Sequence, residues 1–388
     1  MLVTLCVTAS PSHGQMGFGM GGSDAMSMAI GRDSTGRYCD LLGFDAAQRE
    51  TAMLVHQDYL DRFKAANDVL MDAMRKLQED AGRTRDWEAM MKPMGQIALG
   101  FMNTMERLEK SFFDDLRALA IGPEQEAAFA RVERARRREQ AIAMESMSMV
   151  SGATLDLHDI ARTVEVSGNA SVAEALLAYE AEIDPINRRM IDRAMEFSRS
   201  QMRQMQEGFN WDEASMTRMQ EAMKEMRDLG TQGKAVNARF ARQVMQILPA
   251  DAQGKWDREV KQRTWPTVYR PSKAERQIES ALKLEDLTAA QREGLNAVAE
   301  SYRRESTPIN ERWAKTIDDQ QSKDEQSWWG WGADTSGTDA IAKEREALDD
   351  RFVERVRALL TPDQIARMPK AGDSGFDADA VLRQFGGG

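Results

Sequence analysis

Four methionines, Met216, Met219, Met223 and Met226, stand at i, i+3, i+7 and i+10. A helix would set their thioethers in one row. Such a row supports two chemistries. Soft sulfur ligands suit Cu(I), and an unbranched, polarizable surface adapts to many protein partners. The plain alternative is packing, with the thioethers filling gaps in a seam between helices. Met90, Met91 and Met94 form a second cluster and AMESMSM, residues 143–149, a third, in a chain of 388 residues with 26 methionines. The other chemical resources are thin. The three histidines are His13, His56 and His158, and neither His56 nor His158 has a Cys or carboxylate at metal-ligand spacing. Each reads as a helix-face residue. No G-x-S-x-G, phosphate loop or Cys-x-x-Cys is present. The expectation is a protein that is not an enzyme and takes no cofactor, with the Met216–Met226 row as its one weak candidate for a metal.

A second set of polar residues recurs in a fixed pattern. In LLTPDQIARM, residues 359–368, Thr361 reads as an N-cap, Pro362 as N1, and Gln364 as the N3 partner that closes a capping box. Leu360 and Ile365 are positioned as the accompanying hydrophobic staple. Thr288 with Gln291, and Asp45 with Gln48, repeat the box. Gln125 follows Gly122 at a similar start, and Gln253 follows Leu248 in LPADAQ.

These starts belong to elements that repeat. Residues 46–67 and 289–310 share AAQRE, then a Tyr eleven residues after the Gln, then an Asn eight after the Tyr: Tyr59 with Asn67, and Tyr302 with Asn310. A middle segment keeps Tyr179 and Asn187 at the same separation, with Gly168 in the Gln position. Farther on, Phe113, Phe240 and Phe352 each precede an aliphatic residue by eight, namely Ile121, Leu248 and Leu360. Order and spacing that match three times over read as a triplicated unit: a long amphipathic helix, a variable middle, a long return helix, a capped turn and a short last helix. The tyrosines are expected to pack between paired helices with the hydroxyl at the edge. Pro185 and Pro308 fall at equivalent places inside the first long helices of the second and third units. Each would free one carbonyl and bend its helix.

The fold expected is all-α, with three tandem repeats of long antiparallel helical hairpins and short capping helices. The units span 37–148, 153–266 and 272–370. TWPTVYRP, residues 264–271, is a rigid linker. Residues 16–36, rich in Gly, Met and Ser, read as disordered and 371–388 as a flexible tail with a short helical stretch at 378–385. Trp328, Trp329 and Trp331 sit in a loop expected to fold back on the helices. Residues 1–15 read as an export leader with a truncated recorded start, Ser12 and Gly14 standing at the −3 and −1 positions of a cleavage site before Gln15, and the expected compartment is the periplasm or another exported one. With the leader removed only Cys39 remains, so no internal disulfide forms.

The net charge of −11 argues against nucleic acid as a partner. The basic run RVERARRRE, residues 131–139, reads as a solvated helix face with internal ion pairs. No stretch is apolar over a length that spans a membrane. The partners expected are protein clients or envelope proteins, with self-association also open.

The paired phrases LTAAQ (residues 287–291) and LTPDQ (360–364), flanking two long helices, resemble the LTxxQ-motif family of periplasmic proteins, the Spy and CpxP type. The resemblance covers most of residues 37–370 if each unit counts as one family domain. It implies a bent helical hairpin that forms a thin cradle, and ATP-independent holding of unfolded envelope proteins under stress. It also implies metal binding or sensing as an alternative, since some relatives do this. Three units in tandem, an acidic charge and Gly168 in place of a Gln depart from the family pattern. The remaining alternative is a structural scaffold of an envelope assembly.

Overall fold

The computed structural model describes residues 29–84, 88–207, 212–323 and 336–369. Among the described residues there are fourteen helices and no strand, so the chain is all-α. Three pairs of long helices dominate. Helix α2 (Ala46–Thr84) packs on α3 (Glu88–Ala118), α7 (Ala170–Glu207) on α8 (Glu213–Ile247), and α12 (Ala289–Lys323) on α13 (Ser336–Leu359). A short helix precedes each pair: α1 (Arg32–Leu42), α6 (Leu157–Thr163) and α11 (Lys273–Leu282). Another follows each pair: α4 (Pro123–Ala143), α9 (Ala250–Thr264) and α14 (Pro362–Ala366). The one-turn helices α5 (Glu145–Ser148) and α10 (Pro266–Tyr269) lie in the connections. Helices α3, α7 and α12 continue through Pro93, Pro185 and Pro308.

Each hairpin has its own core at the end where the short helices gather. Tyr38, Tyr59, Phe63, Phe112 and Leu116 fill the first. Leu157, Tyr179, Phe240, Val244 and Trp256 fill the second. Ile278, Tyr302, Phe352, Val356 and Leu360 fill the third. In each, a tyrosine of the outgoing helix meets a phenylalanine of the return helix, with ring centroids 5.3 Å apart for Tyr59–Phe112, 5.6 Å for Tyr179–Phe240 and 5.1 Å for Tyr302–Phe352.

That contact corrects the spacing read from sequence. The phenylalanine facing Tyr59 is Phe112, and Phe113 packs instead near Tyr38 at 5.7 Å. One turn on from Phe112, Phe240 and Phe352 lie Leu116, Val244 and Val356, all fully buried. The next turn brings Ala120, Leu248 and Leu360, which pack against their cores. Ile121 was expected to match Leu248 and Leu360, yet it is 75% exposed while they are 4% and 8% exposed. It is an extra residue, and Gly122, with φ 92° and ψ 168°, lets the chain turn from it into α4. The Leu360–Ile365 staple does pack in the third core.

Three further expectations change. The stretch read as disordered through residue 36 is ordered from Ala29: Ile30 is fully buried and α1 begins at Arg32. The TWPTVYRP linker contains a helical turn, α10, which packs on α12. The basic run is not a solvated face, because Arg136 and Arg138 are buried, as described below. The leader, the tryptophan loop and residues 371–388 lie outside the described residues.

Candidate functional site

The capping boxes form as expected. The side-chain oxygens of Asp45, Thr288 and Thr361 accept from the backbone N–H of Gln48, Gln291 and Gln364 at 2.8, 3.2 and 3.3 Å. In return each glutamine Oε1 accepts the N–H of its capping residue, at 3.0, 3.0 and 2.9 Å. This leaves each amide nitrogen to reach elsewhere. The Gln48 Nε2 donates to Leu119 O at 2.8 Å and to Gln125 Oε1 at 3.0 Å. The Gln125 Nε2 donates back to Gln48 Oε1 at 3.1 Å and to Gly43 O at 3.2 Å, while Gln125 Oε1 accepts from Ile121 N at 2.7 Å. The third hairpin repeats the arrangement: Gln291 Nε2 donates to Leu359 O and Gln364 Oε1, both at 2.9 Å. The Gln364 Nε2 donates to Asp286 O at 3.3 Å.

Each glutamine therefore caps the start of its own helix and binds a carbonyl of the other arm, and the pair latches the base of the hairpin. Glu has no amide donor and Asn is one methylene shorter, so this geometry requires Gln at both places. The sequence reading located these residues as separate helix starts and missed that they meet. The signal was there in the two boxes at opposite ends of one hairpin. Hairpin two has no such pair. At its base Asn169 Oδ1 caps α7 by accepting from Ser171 N at 3.0 Å, and Gln253 Nε2 bonds Leu248 O of its own turn at 3.0 Å.

The tyrosines do more than fill cores. Tyr59 OH accepts from Ile30 N at 3.2 Å. Tyr179 OH lies 2.5 Å from Leu155 O and 3.0 Å from Asn237 Oδ1, and its single proton serves one of the two. Tyr302 OH lies 2.5 Å from Ser272 Oγ and also bonds Asp349 and Arg345. Ile30, Leu155 and Ser272 each stand at the entrance to the short first helix, so every tyrosine ties down the segment that enters its unit. Burial pushes Tyr59 up to about 12, and burial pushes Tyr179 and Tyr302 up as well. All three stay neutral hydrogen-bonding groups near neutral pH. The asparagines diverge: Asn310 Oδ1 accepts from Arg345, whereas Asn67 and Asn187 each keep a buried Oδ1 with no hydrogen-bond donor.

The methionine row grades from surface to core. Met216 is 38% exposed, Met219 and Met223 are half-buried, and Met226 is 3% exposed in a cluster with Val150, Met190 and Leu229. The row keeps one face of α8, but its cover changes, because α5 joins α7 over the inner part. The four sulfurs are thus not one exposed ligand set. Met144 and Met147 pack on the same cluster. Between the outer halves of α7 and α8 lies a groove of about 530 Å³ lined by Phe197, Gln201, Met219 and Ala222, with Arg203 and Glu221 among its charged residues.

The basic helix α4 joins the first two hairpins. Arg137 grips Asp184 through Nε at 2.6 Å and Nη2 at 3.1 Å, and Arg134 Nη1 donates to Glu180 at 3.3 Å. Arg138, 5% exposed, lies 3.3 Å from Asp156 and 3.7 Å from Glu180, at ion-pair distance but outside hydrogen-bond geometry. Arg136 faces Glu109 of α3 at 2.7 Å. His158 sits among these groups with Nε2 3.4 Å from Glu180, and burial and the Arg138 charge push it down to about 4. His56 is buried too, its Nε2 2.9 Å from Ile30 O. Neither histidine is a simple helix-face residue.

Among the described residues no group of three or more His, Cys, Asp and Glu side chains is arranged to hold a metal ion, and no helix is long and apolar enough to cross a membrane. The chain matches no family model, no curated protein and no solved structure.

Proposed function

We propose that the chain is three tandem, divergent copies of one hairpin unit related to the LTxxQ-motif proteins. In this reading it is an exported, non-enzymatic protein that holds other proteins without ATP. The repeat is supported by the glutamine latches of hairpins one and three and by the tyrosine–phenylalanine contact at the base of all three. The observation that carries the binding role is the α7–α8 groove, where Phe197 and Met219 line a space bordered by charged side chains, with the exposed Met216 on the same arm. Thioether and aromatic surfaces of this kind accept apolar segments of varied shape. Charged residues around the groove keep it soluble when empty.

The test is suppression of aggregation of a chemically unfolded client at equimolar protein. The unaltered chain is expected to suppress it, and Phe197→Glu with Met219→Glu to weaken suppression about fivefold at unchanged helicity. No suppression by the unaltered chain would reject the holding role. Suppression that the double variant leaves intact would move it to another surface.

A further inference from the structure

The two junctions between hairpins are built differently. Hairpins one and two share long helix contacts: α3 lies along α7 and α4 also packs on α7. At Gly95 the backbones come so close that an added Cβ would fall 2.6 Å from Met202 O. Half-buried Arg137 and buried Arg138 complete this junction by meeting Asp184 and Asp156. Among the described residues, no long helix of the first two hairpins packs along α12 or α13, and the main helix contact across the second junction is that of α10 with α12.

Polar ties supply the rest, and they converge on one end of α12. Asp318 accepts from Trp265 Nε1 at 2.9 Å and pairs with Lys234 Nζ of α8 at 2.7 Å. The Lys234 ammonium also stands 5.6 Å over the Trp265 ring. One turn on, Gln321 Oε1 accepts from Ser151 N and Gln321 Nε2 donates to Ser151 Oγ, both at 2.9 Å. Ser151 belongs to the connection between hairpins one and two, next to Gly152, which lies against Thr264 at the end of α9. The sequence of α12 agrees with this light attachment. Glu300, Arg303, Arg304, Thr307 and Glu311 are all exposed, whereas α7 buries Glu180 at the place one residue past its tyrosine, where α12 has Arg303.

We infer that hairpin three is an arm hinged at the non-helical residues flanking α10, and that Asp318 and Gln321 are the clasp holding it against the first two hairpins. Trp265 has φ −131° and ψ 70°, and Arg270 is extended before Pro271, so the hinge needs no helix to break. Opening exchanges four polar ties and the packing of α10 on one of its neighbours for water, and leaves each hairpin core intact. The clasp is partly exposed, Lys234 at 26% and Asp318 at 30%, so salt weakens it.

Spin labels at Ala178→Cys on α7 and Ala297→Cys on α12, both exposed positions, read the arm directly in the full chain. Cys6→Ser removes one native thiol, and Cys39 is fully buried. The unaltered clasp is expected to give one dominant distance. Asp318→Ala with Gln321→Ala is expected to raise the ratio of a second, separated distance on the order of tenfold, since charged hydrogen bonds are lost. Salt at about 1 M is expected to move the unaltered clasp the same way. Lys315→Ala, on the same helix outside the clasp, should change nothing. The same single distance in both the double variant and high salt would overturn the proposal. If the double variant loses helicity, the salt series on the unaltered clasp decides alone.

Discussion

At the residue scale the glutamine latch makes a quantitative demand. Gln364 is 3% exposed, and its loss strands the Thr361 N–H and part of the Gln291 amide. Gln364→Ala is expected to cost about 1–3 kcal/mol, the usual penalty for buried polar groups left unpaired. Gln253→Ala, which removes only a bond to its own turn, should cost less than half as much. Urea unfolding of both variants checks the order. A Gln291/Gln364 double-mutant cycle should return a coupling of at least about 0.5 kcal/mol. His158 adds a pH dependence. Its folded form is held down by burial first, then by Arg138, with Asp156 opposing, Arg131 assisting and the Leu176 backbone opposing. The unfolded histidine titrates near 6.5, so below that pH the unfolded chain takes up a proton that the folded chain refuses. Stability is expected to fall as pH drops from 6.5 toward 4, by on the order of 1–3 kcal/mol. His56, lowered by burial and by Arg32, acts in the same direction. Urea midpoints at pH 7.5 and pH 5 measure the slope, and His158→Gln should flatten it.

At the element scale, two glycines of one helix separate intrinsic preference from packing. Gly100 in α3 faces open space, and Gly100→Ala should stabilise by up to about 1 kcal/mol. Gly95, five residues away in sequence, faces the α7 backbone, and Gly95→Ala should destabilise by about 1–3 kcal/mol despite the same helical gain. Thermal unfolding of the pair should give shifts of opposite sign. The elements were legible where their signals were local. Helix class, the capping boxes at Asp45, Thr288 and Thr361, and the tyrosine positions all follow from spacing within one turn or one face. The short first helices were missed, although Ser272 with Glu275 forms a full capping box before α11 and Asp156 caps α6. Phe113 was chosen over Phe112 because adjacent aromatics look alike in sequence, and only the ring that faces Tyr59 tells them apart. The burial of Arg136 and Arg138 was invisible for a different reason. Each is buried against carboxylates that lie far along the chain: Glu109, 27 residues away in the same hairpin, meets Arg136, and Asp156 and Glu180 of the second hairpin meet Arg138.

At the scale of the whole molecule, hairpins one and two should melt together and hairpin three apart. Calorimetry is expected to show two transitions, the smaller with about two-fifths of the enthalpy of the larger, in proportion to residues. Arg137→Ala should move only the larger one. A single transition that contains all the heat would mean that the second junction is as strong as the first. The tyrosine ties carry a consequence for synthesis. Tyr59, Tyr179 and Tyr302 reach back 29, 24 and 30 residues to the segments they hold. The core at the base of each hairpin is made from its own stretch of chain, so those contacts are local and should form fast. A chain leaving the ribosome can close the first hairpin before the second is made, and the second before the third. The bonds between Ser151 and Gln321 span 170 residues. They cannot form before α12 has been made, so a nascent chain passes through a stage in which the first two hairpins can be complete while the third has yet to dock.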